Sequence, residues 1–181
     1  MSEIISIALA NPNRMQQRVG AYPLEVWIFL PATEEAIQKA KLSIGSPDEF
    51  ADYYIGGVET CGYEIALHCG DTIGELNEVA KRIVTLQKSS HWEAMKLSAY
   101  LEAHPNLSLE EIHRVLNEGF EDYDLLVGLT TFMEFKDFCF TQYKAYDHLP
   151  WELIHYLESD GKINPGKEIY HTFVGTLMRA S

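Results

Sequence analysis

Residues 71 to 86 read DTIGELNEVAKRIVTL, and the spacing of their apolar side chains decides the fold class. Ile73, Leu76, Val79, Ala80, Ile83 and Val84 recur at three- and four-residue intervals. That puts them on one stripe of an amphipathic helix, with Asp71 or Thr72 available to cap its first turn. Upstream the period is different. IISIALA (4 to 10) is rich in isoleucine and LEVWIFL (24 to 30) is apolar and aromatic, so both predict strands. Between them NPNRMQQRVGAYP, with Asn11, Pro12, Gly20 and Pro23, reads as a loop or hairpin connection. Thr33 caps an expected helix over ATEEAIQKAKLSIG: Glu34 and Glu35 favour its positive end, Ile37, Ala40 and Ile44 keep helical spacing, and Gly45 stops it. SPDEFADYYIGG opens as a short helix start at Ser46-Pro47, Gly56-Gly57 marks a turn, and YEIALH (63 to 68) is a further strand candidate.

Downstream the helical period continues. SHWEAMKLSAYLEAH repeats it through Trp92, Met95, Leu97 and Leu101 until Pro105, and Ser108 with Glu111 forms a capping box for SLEEIHRVLNEGF. From about residue 120 the chain mixes helices with a final strand: LPWELIHYLES begins a helix at Pro150, DGKINPGKE is a turn-rich loop, and IYHTFVGTLM alternates apolar and polar residues. The expected class is α+β in three parts. These are an N-terminal α+β domain over 1–72 with a small antiparallel sheet plus a helix, a central helical domain over 73–118, and a mixed α/β C-terminal domain over 119–181.

Charge is the unusual global feature. The chain has 181 residues with 27 Asp and Glu against 14 Lys and Arg, a formal net charge of −13. Residues 1 to 72 hold ten acids and four bases, 73 to 118 seven and five, and 119 to 181 ten and five, so every part is acidic. Between Glu102 and Asp137 nine acids face only Arg114 and Lys136. Direct nucleic-acid binding, which depends on cations displacing counterions from phosphates, is therefore not expected. Inside that window lies GFEDYDLLVG (119 to 128), with Glu121, Asp122 and Asp124 around Phe120 and Tyr123. Read from composition alone, such a window is a solvated helical face that keeps a protein soluble.

Signals for chemistry are weak. There is no G-x-S-x-G elbow, Walker loop, G-x-G-x-x-G or H-E-x-x-H, and so no cofactor or catalytic motif. His148 and His155 with Glu152 offer a paper metal site, but Pro150 interrupts the helix between them. His68 and Cys69 are adjacent, which on a strand turns them to opposite faces. Cys61, Cys69 and Cys139, an odd number without C-x-x-C spacing, read as small buried thiols. Without a signal-peptide pattern or a run of about 18 apolar residues, a soluble cytoplasmic protein with no membrane contact is expected.

The order VGAYPLEVWIFLPAT, a helix, DEFADYYIGG, a strand and then TIGELNEVAKRIVTL resembles the N-terminal two-thirds of the ArdA antirestriction proteins of conjugative plasmids and transposons. The positions that carry the resemblance are Gly20, Trp27, Asp48-Glu49-Phe50 and Ile73-Gly74-Glu75-Leu76-Asn77, with a looser C-terminal match at Tyr156, Glu158 and Gly161. Where that family commonly carries a His-Asp-aromatic-Glu segment, this chain has Gly56-Gly57-Val58-Glu59.

The resemblance implies an elongated, multi-domain, noncatalytic homodimer. It would mimic DNA and occupy the DNA channel of the methyltransferase core of type I restriction-modification enzymes, needing no cofactor or metal. Carboxylates would stand where phosphates lie: Asp48, Glu49, Asp52, Glu59, Glu75, Glu78, Glu110, Glu111, Glu118, Glu121, Asp122 and Asp124. Phe120 and Tyr123 would hold their backbone against the core. The C-terminal third, through Trp151, Tyr156, Tyr170 and Phe173, would supply the two-fold interface. The alternative is an acidic interaction or regulatory module of a mobile element that binds a different basic protein.

Overall fold

A computed structural model describes residues 4–15, 25–46, 52–142, 151–163 and 168–179. The protein is α+β, with two small antiparallel sheets among the described residues. The chain divides into two units, Met1–His91 with Asn106–Asn117, and Trp92–Pro105 with Glu118–Ser181.

In the first unit β1 (Ile5–Ala10), the short α1 (Pro12–Met15), β2 (Glu25–Leu30), α2 (Glu34–Ser43), β3 (Tyr54–Thr60), α3 (Ile73–Ser89) and α5 (Leu109–Glu118, up to Asn117) follow the chain, with α4 (His91–Ala103) starting at the boundary. The sheet order is β2-β1-β3. The middle strand is apolar almost throughout, and Ile5, Ile7 and Leu9 are buried beside Ile28 and Leu30 of β2, against which α2 and α3 pack. Thr33 caps α2 through the Ala36 amide. Thr72, rather than Asp71, caps α3: its hydroxyl accepts from the Glu75 amide while the Glu75 carboxylate accepts from the Thr72 amide at 3.0 Å. Ser108 and Glu111 close the same reciprocal pair at the start of α5.

The IGELN segment thereby acquires a structural account. Ile73 and Leu76 enter the core, Glu75 closes the cap, and buried Asn77 ties α3 to the end of β2. Its side chain accepts from the Ala32 amide at 2.7 Å and donates to the Ala32 carbonyl at 3.0 Å.

Two expectations are corrected here. Gly56-Gly57 lies inside β3 rather than in a turn, at a register shift opposite Ala8 and Leu9. At Gly56 a Cβ would crowd the Tyr54 ring at 3.3 Å, and at Gly57 one would lie in ordinary contact with the Trp27 ring at 3.6 Å. YEIALH forms no strand: Tyr63 and Ile65 are buried and Glu64 exposed, so the alternation survives, but no ladder pairs the segment. The expected short helix start at Ser46-Pro47 runs into residues outside those described.

In the second unit α4 is followed by β4 (Tyr123–Val127), α6 (Phe132–Gln142), α7 (Trp151–Glu158), β5 (Ile169–His171) and β6 (Gly175–Arg179), with sheet order β4-β6-β5. The expected final strand over IYHTFVGTLM is two strands, because Thr172 folds the chain back: its hydroxyl donates to the Gly175 carbonyl at 2.8 Å and accepts from the Gly175 and Val174 amides. Side chains alternate across this sheet. Leu125 and Leu177 pack with Ala99, Met95 and Tyr100 of α4. Leu126 and Met178 pack with Phe135 and Cys139 of α6 and with Tyr156 and Leu157 of α7. The sheet is thus a middle layer between α4 and the α6/α7 pair.

Candidate functional site

GFEDYDLLVG is not the helical face expected of it: the stretch forms a turn that leads into the edge strand β4, because the backbone closes on the Phe120 carbonyl and then pairs with β6. Gly119 has φ 83°, a left-handed conformation that ends α5. The Tyr123 amide donates to the Phe120 carbonyl at 2.9 Å, which leaves Glu121 and Asp122 at the two central, exposed positions. The same carbonyl accepts from Lys96 Nζ at 2.9 Å, and Lys96 is buried on α4. Phe120 is buried, its ring 5.8 Å from that of Tyr100, and Tyr123 meets Tyr100 edge-on at 5.3 Å. Tyr123 Oη donates to the Glu168 carboxylate, and burial first, then that bond, push its pKa up. The two rings and the ammonium fix the backbone, and the carboxylates project from it.

Among the described residues, ion pairs join Glu78 to Lys81 at 2.5 Å, Asp160 to Lys136 at 2.6 Å and Glu168 to Arg179 at 3.7 Å. None involves Glu118, Glu121, Asp122 or Asp124, all exposed members of the second unit. Of the other expected carboxylates, Asp52, Glu59 and Glu110 are exposed in the first unit. Glu75 and Glu111 serve capping boxes, and hydrogen bonds from Thr72 and Ser108 hold both below the usual carboxylate range. Glu78 is paired, and Asp48 and Glu49 lie outside the described residues.

The four expected interface residues divide. Trp151 is 65% exposed at the start of α7, its ring 5.2 Å from that of His155, and Phe173 is 92% exposed at the β5–β6 turn. The Glu102 carboxylate accepts from the Phe173 amide at 3.0 Å and holds that turn. Tyr156 is buried in the α6/α7 core, and Tyr170 is half-buried with its ring 5.0 Å from that of His104.

Among the described residues no three His, Cys, Asp or Glu converge as a metal site, and no helix is long and apolar enough to cross a membrane. His148 lies outside the described residues, and His155 is exposed. His68 contacts the Leu107 carbonyl at 3.2 Å and Cys69 sits in an exposed turn, not on a strand. Cys61 and Cys69 are exposed, which corrects the buried reading for both. Only Cys139 is buried, its thiol pushed up to about 11 by desolvation. His171 bridges Tyr156 Oη at 3.3 Å and Thr176 Oγ1 at 2.9 Å inside the core, and burial lowers its pKa.

Sequence reasoning missed Lys96 and the third capping box, in which the Glu134 carboxylate accepts from the Thr130 and Thr131 amides. The T-x-x-E pattern of Thr131 and Glu134 was the available signal for the box. For Lys96 there was none, because its partner lies 24 residues away. No protein-family model matches the chain, and no curated protein matches it.

Proposed function

We propose that this protein is a noncatalytic DNA mimic of the ArdA antirestriction kind, an elongated cytoplasmic homodimer that occupies the DNA channel of a type I restriction-modification enzyme. One observation carries the reading. Glu118, Glu121, Asp122 and Asp124 are exposed and form no ion pair among the described residues, and the backbone between them is held by Phe120, Tyr123 and Lys96. Charge displayed on a fixed backbone is what a surrogate for phosphates requires, because the cations of the channel then meet acceptors without ordering them first. The sequence resemblance supplies the target, and the exposed Trp151 and Phe173 are the side chains available to a two-fold contact.

The test is competition. A purified type I methyltransferase core is held with labelled duplex DNA and titrated with the protein at rising salt. Displacement of the duplex, weakening as salt rises, is expected. Binding that leaves DNA affinity unchanged refutes the reading. A second reading, an acidic module for another basic protein of a mobile element, draws on the commitment of Glu75, Glu78 and Glu111 to partners within the chain. It predicts no displacement.

A further inference from the structure

The outer face of the first sheet carries an arrangement that charge mimicry does not use. Residues paired across β2-β1-β3 share a face, so Ser6 aligns with Phe29 and Glu59, Ala8 with Trp27 and Gly57, and Ala10 with Glu25 and Tyr54. On this face the middle strand offers only small side chains, yet Ala8 and Ala10 are almost completely buried. Rings from the flanking strands cover them. A Cβ at Gly57 would lie 3.6 Å from Trp27 Cη2 and 3.9 Å from Ala8 Cβ, so the indole reaches from β2 across β1 to β3. Two interstrand spacings amount to about 9.6 Å, which an indole approaches only by lying along the sheet.

The inner surface of the ring therefore rests on Ala8 and Gly57, and its outer surface faces solvent. Trp27 is 43% and Phe29 51% exposed. Trp27 Nε1 donates to Glu25 Oε1 at 3.1 Å, which holds the ring and sets a carboxylate at its edge. The three strands contain no Lys or Arg, and Glu25 and Glu59 both lie on this face.

We propose that this face receives arginine side chains of a protein partner. A guanidinium stacks on the outer surface of Trp27 and donates to Glu25, whose remaining lone pairs stay available after the indole bond. The planar, weakly hydrated guanidinium suits a flat ring beside a carboxylate, whereas a lysine ammonium keeps its water more tightly. Net negative charge alone draws both cations, and the ring distinguishes them. The proposal is independent of the mimic reading, since peptides test it without any restriction enzyme.

Labelled nona-arginine and nona-lysine peptides of equal charge are titrated against the full chain at about 0.15 M salt. The readout is the ratio of their affinities. Trp27→Leu keeps an apolar cover on Ala8 but removes the aromatic face, and the ratio is expected to fall about threefold, with lysine-peptide binding unchanged. Trp27→Tyr should retain part of the preference. An unchanged ratio in folded Trp27→Leu overturns the proposal. Should that variant fail to fold, Glu25→Gln leaves the ring in place, and an undiminished ratio there overturns it equally.

Discussion

Converting Glu121, Asp122 and Asp124 together to Gln, Asn and Asn separates displayed charge from structural charge. Glu121 and Asp122 occupy the centre of a turn closed by backbone and by Lys96, and Asp124 stands exposed on the edge strand β4. Each amide should therefore move stability by no more than about 0.5 kcal/mol, and relief of repulsion among acids so close together favours the variant. Affinity for the methyltransferase core should respond differently. Exposed ion pairs contribute about 0.2–1 kcal/mol each, so losing three weakens binding by about 0.6–3 kcal/mol, roughly threefold to 150-fold. The salt dependence should become shallower as well. Phe120→Ala makes the converse case. The buried ring should cost about 3–5 kcal/mol of stability, while the carboxylates remain. The assay pairs displacement of labelled duplex with a urea unfolding midpoint for both proteins. A folded triple-amide variant that displaces DNA as well as the parent refutes the pseudo-phosphate role of this turn.

Gly175→Ala tests the second sheet, because its Cβ would fall 2.2 Å from the Leu126 carbonyl oxygen and force β4 away from β6. A loss of about 1–3 kcal/mol or more is expected, and an unchanged thermal midpoint contradicts the register. Burial holds the His171 pKa below its unfolded value of about 6.5, so the unfolded chain takes up the proton first. Stability should be complete above about pH 6.5 and fall as pH drops through the folded pKa. Urea midpoints between about pH 8 and 5 should fall less steeply in His171→Asn, and parallel curves refute the assignment. Trp151→Ser with Phe173→Ser should convert a sedimenting dimer to monomer without lowering the unfolding temperature, since both side chains are exposed. A concentration-independent monomer in the parent protein refutes the interface.

What the sequence made legible was local. The α3 stripe, the Thr33 cap and the boxes of Thr72 with Glu75 and Ser108 with Glu111 each depend on residues within one or two turns, and all are present. The misreadings involve partners distant in sequence. Gly56-Gly57 looks like a turn because glycine is the usual turn residue, but here it lies in β3 at a register shift against Ala8 and Leu9 of β1. YEIALH alternates like a strand and buries Tyr63 and Ile65, but alternation reports burial on one side and not a hydrogen-bonded neighbour. Of the expected site, the exposure of Glu121 and Asp122 followed from their charge, whereas the helical face expected for them is a turn set by the Phe120 carbonyl and Lys96, which no local pattern reveals. The inward position of Tyr156 depends on α6, whose packing no local pattern reveals.

The capping boxes also sort the acids. Glu75, Glu111 and Glu134 each follow a Thr or Ser by three residues at a helix start, and in each the carboxylate accepts from backbone amides. Their charge is spent on the positive end of a helix, and a partner's cation must compete with those amides for the oxygens. Three residues before Glu121, Asp122 and Asp124 stand Glu118, Gly119 and Glu121, with no hydroxyl among them. Four acids thus occupy the seven residues from Glu118 to Asp124 with no base. Fully extended, that segment covers about 20 Å, or one charge per roughly 5 Å, and the turn shortens it. A single strand of duplex carries one per about 3.4 Å of axis. The chain as a whole, at −13, is far more dilute relative to its length than this segment. If the protein is the DNA mimic proposed above, this turn, whose spacing comes nearest to that of one strand of a duplex, is where substitution should weaken binding most.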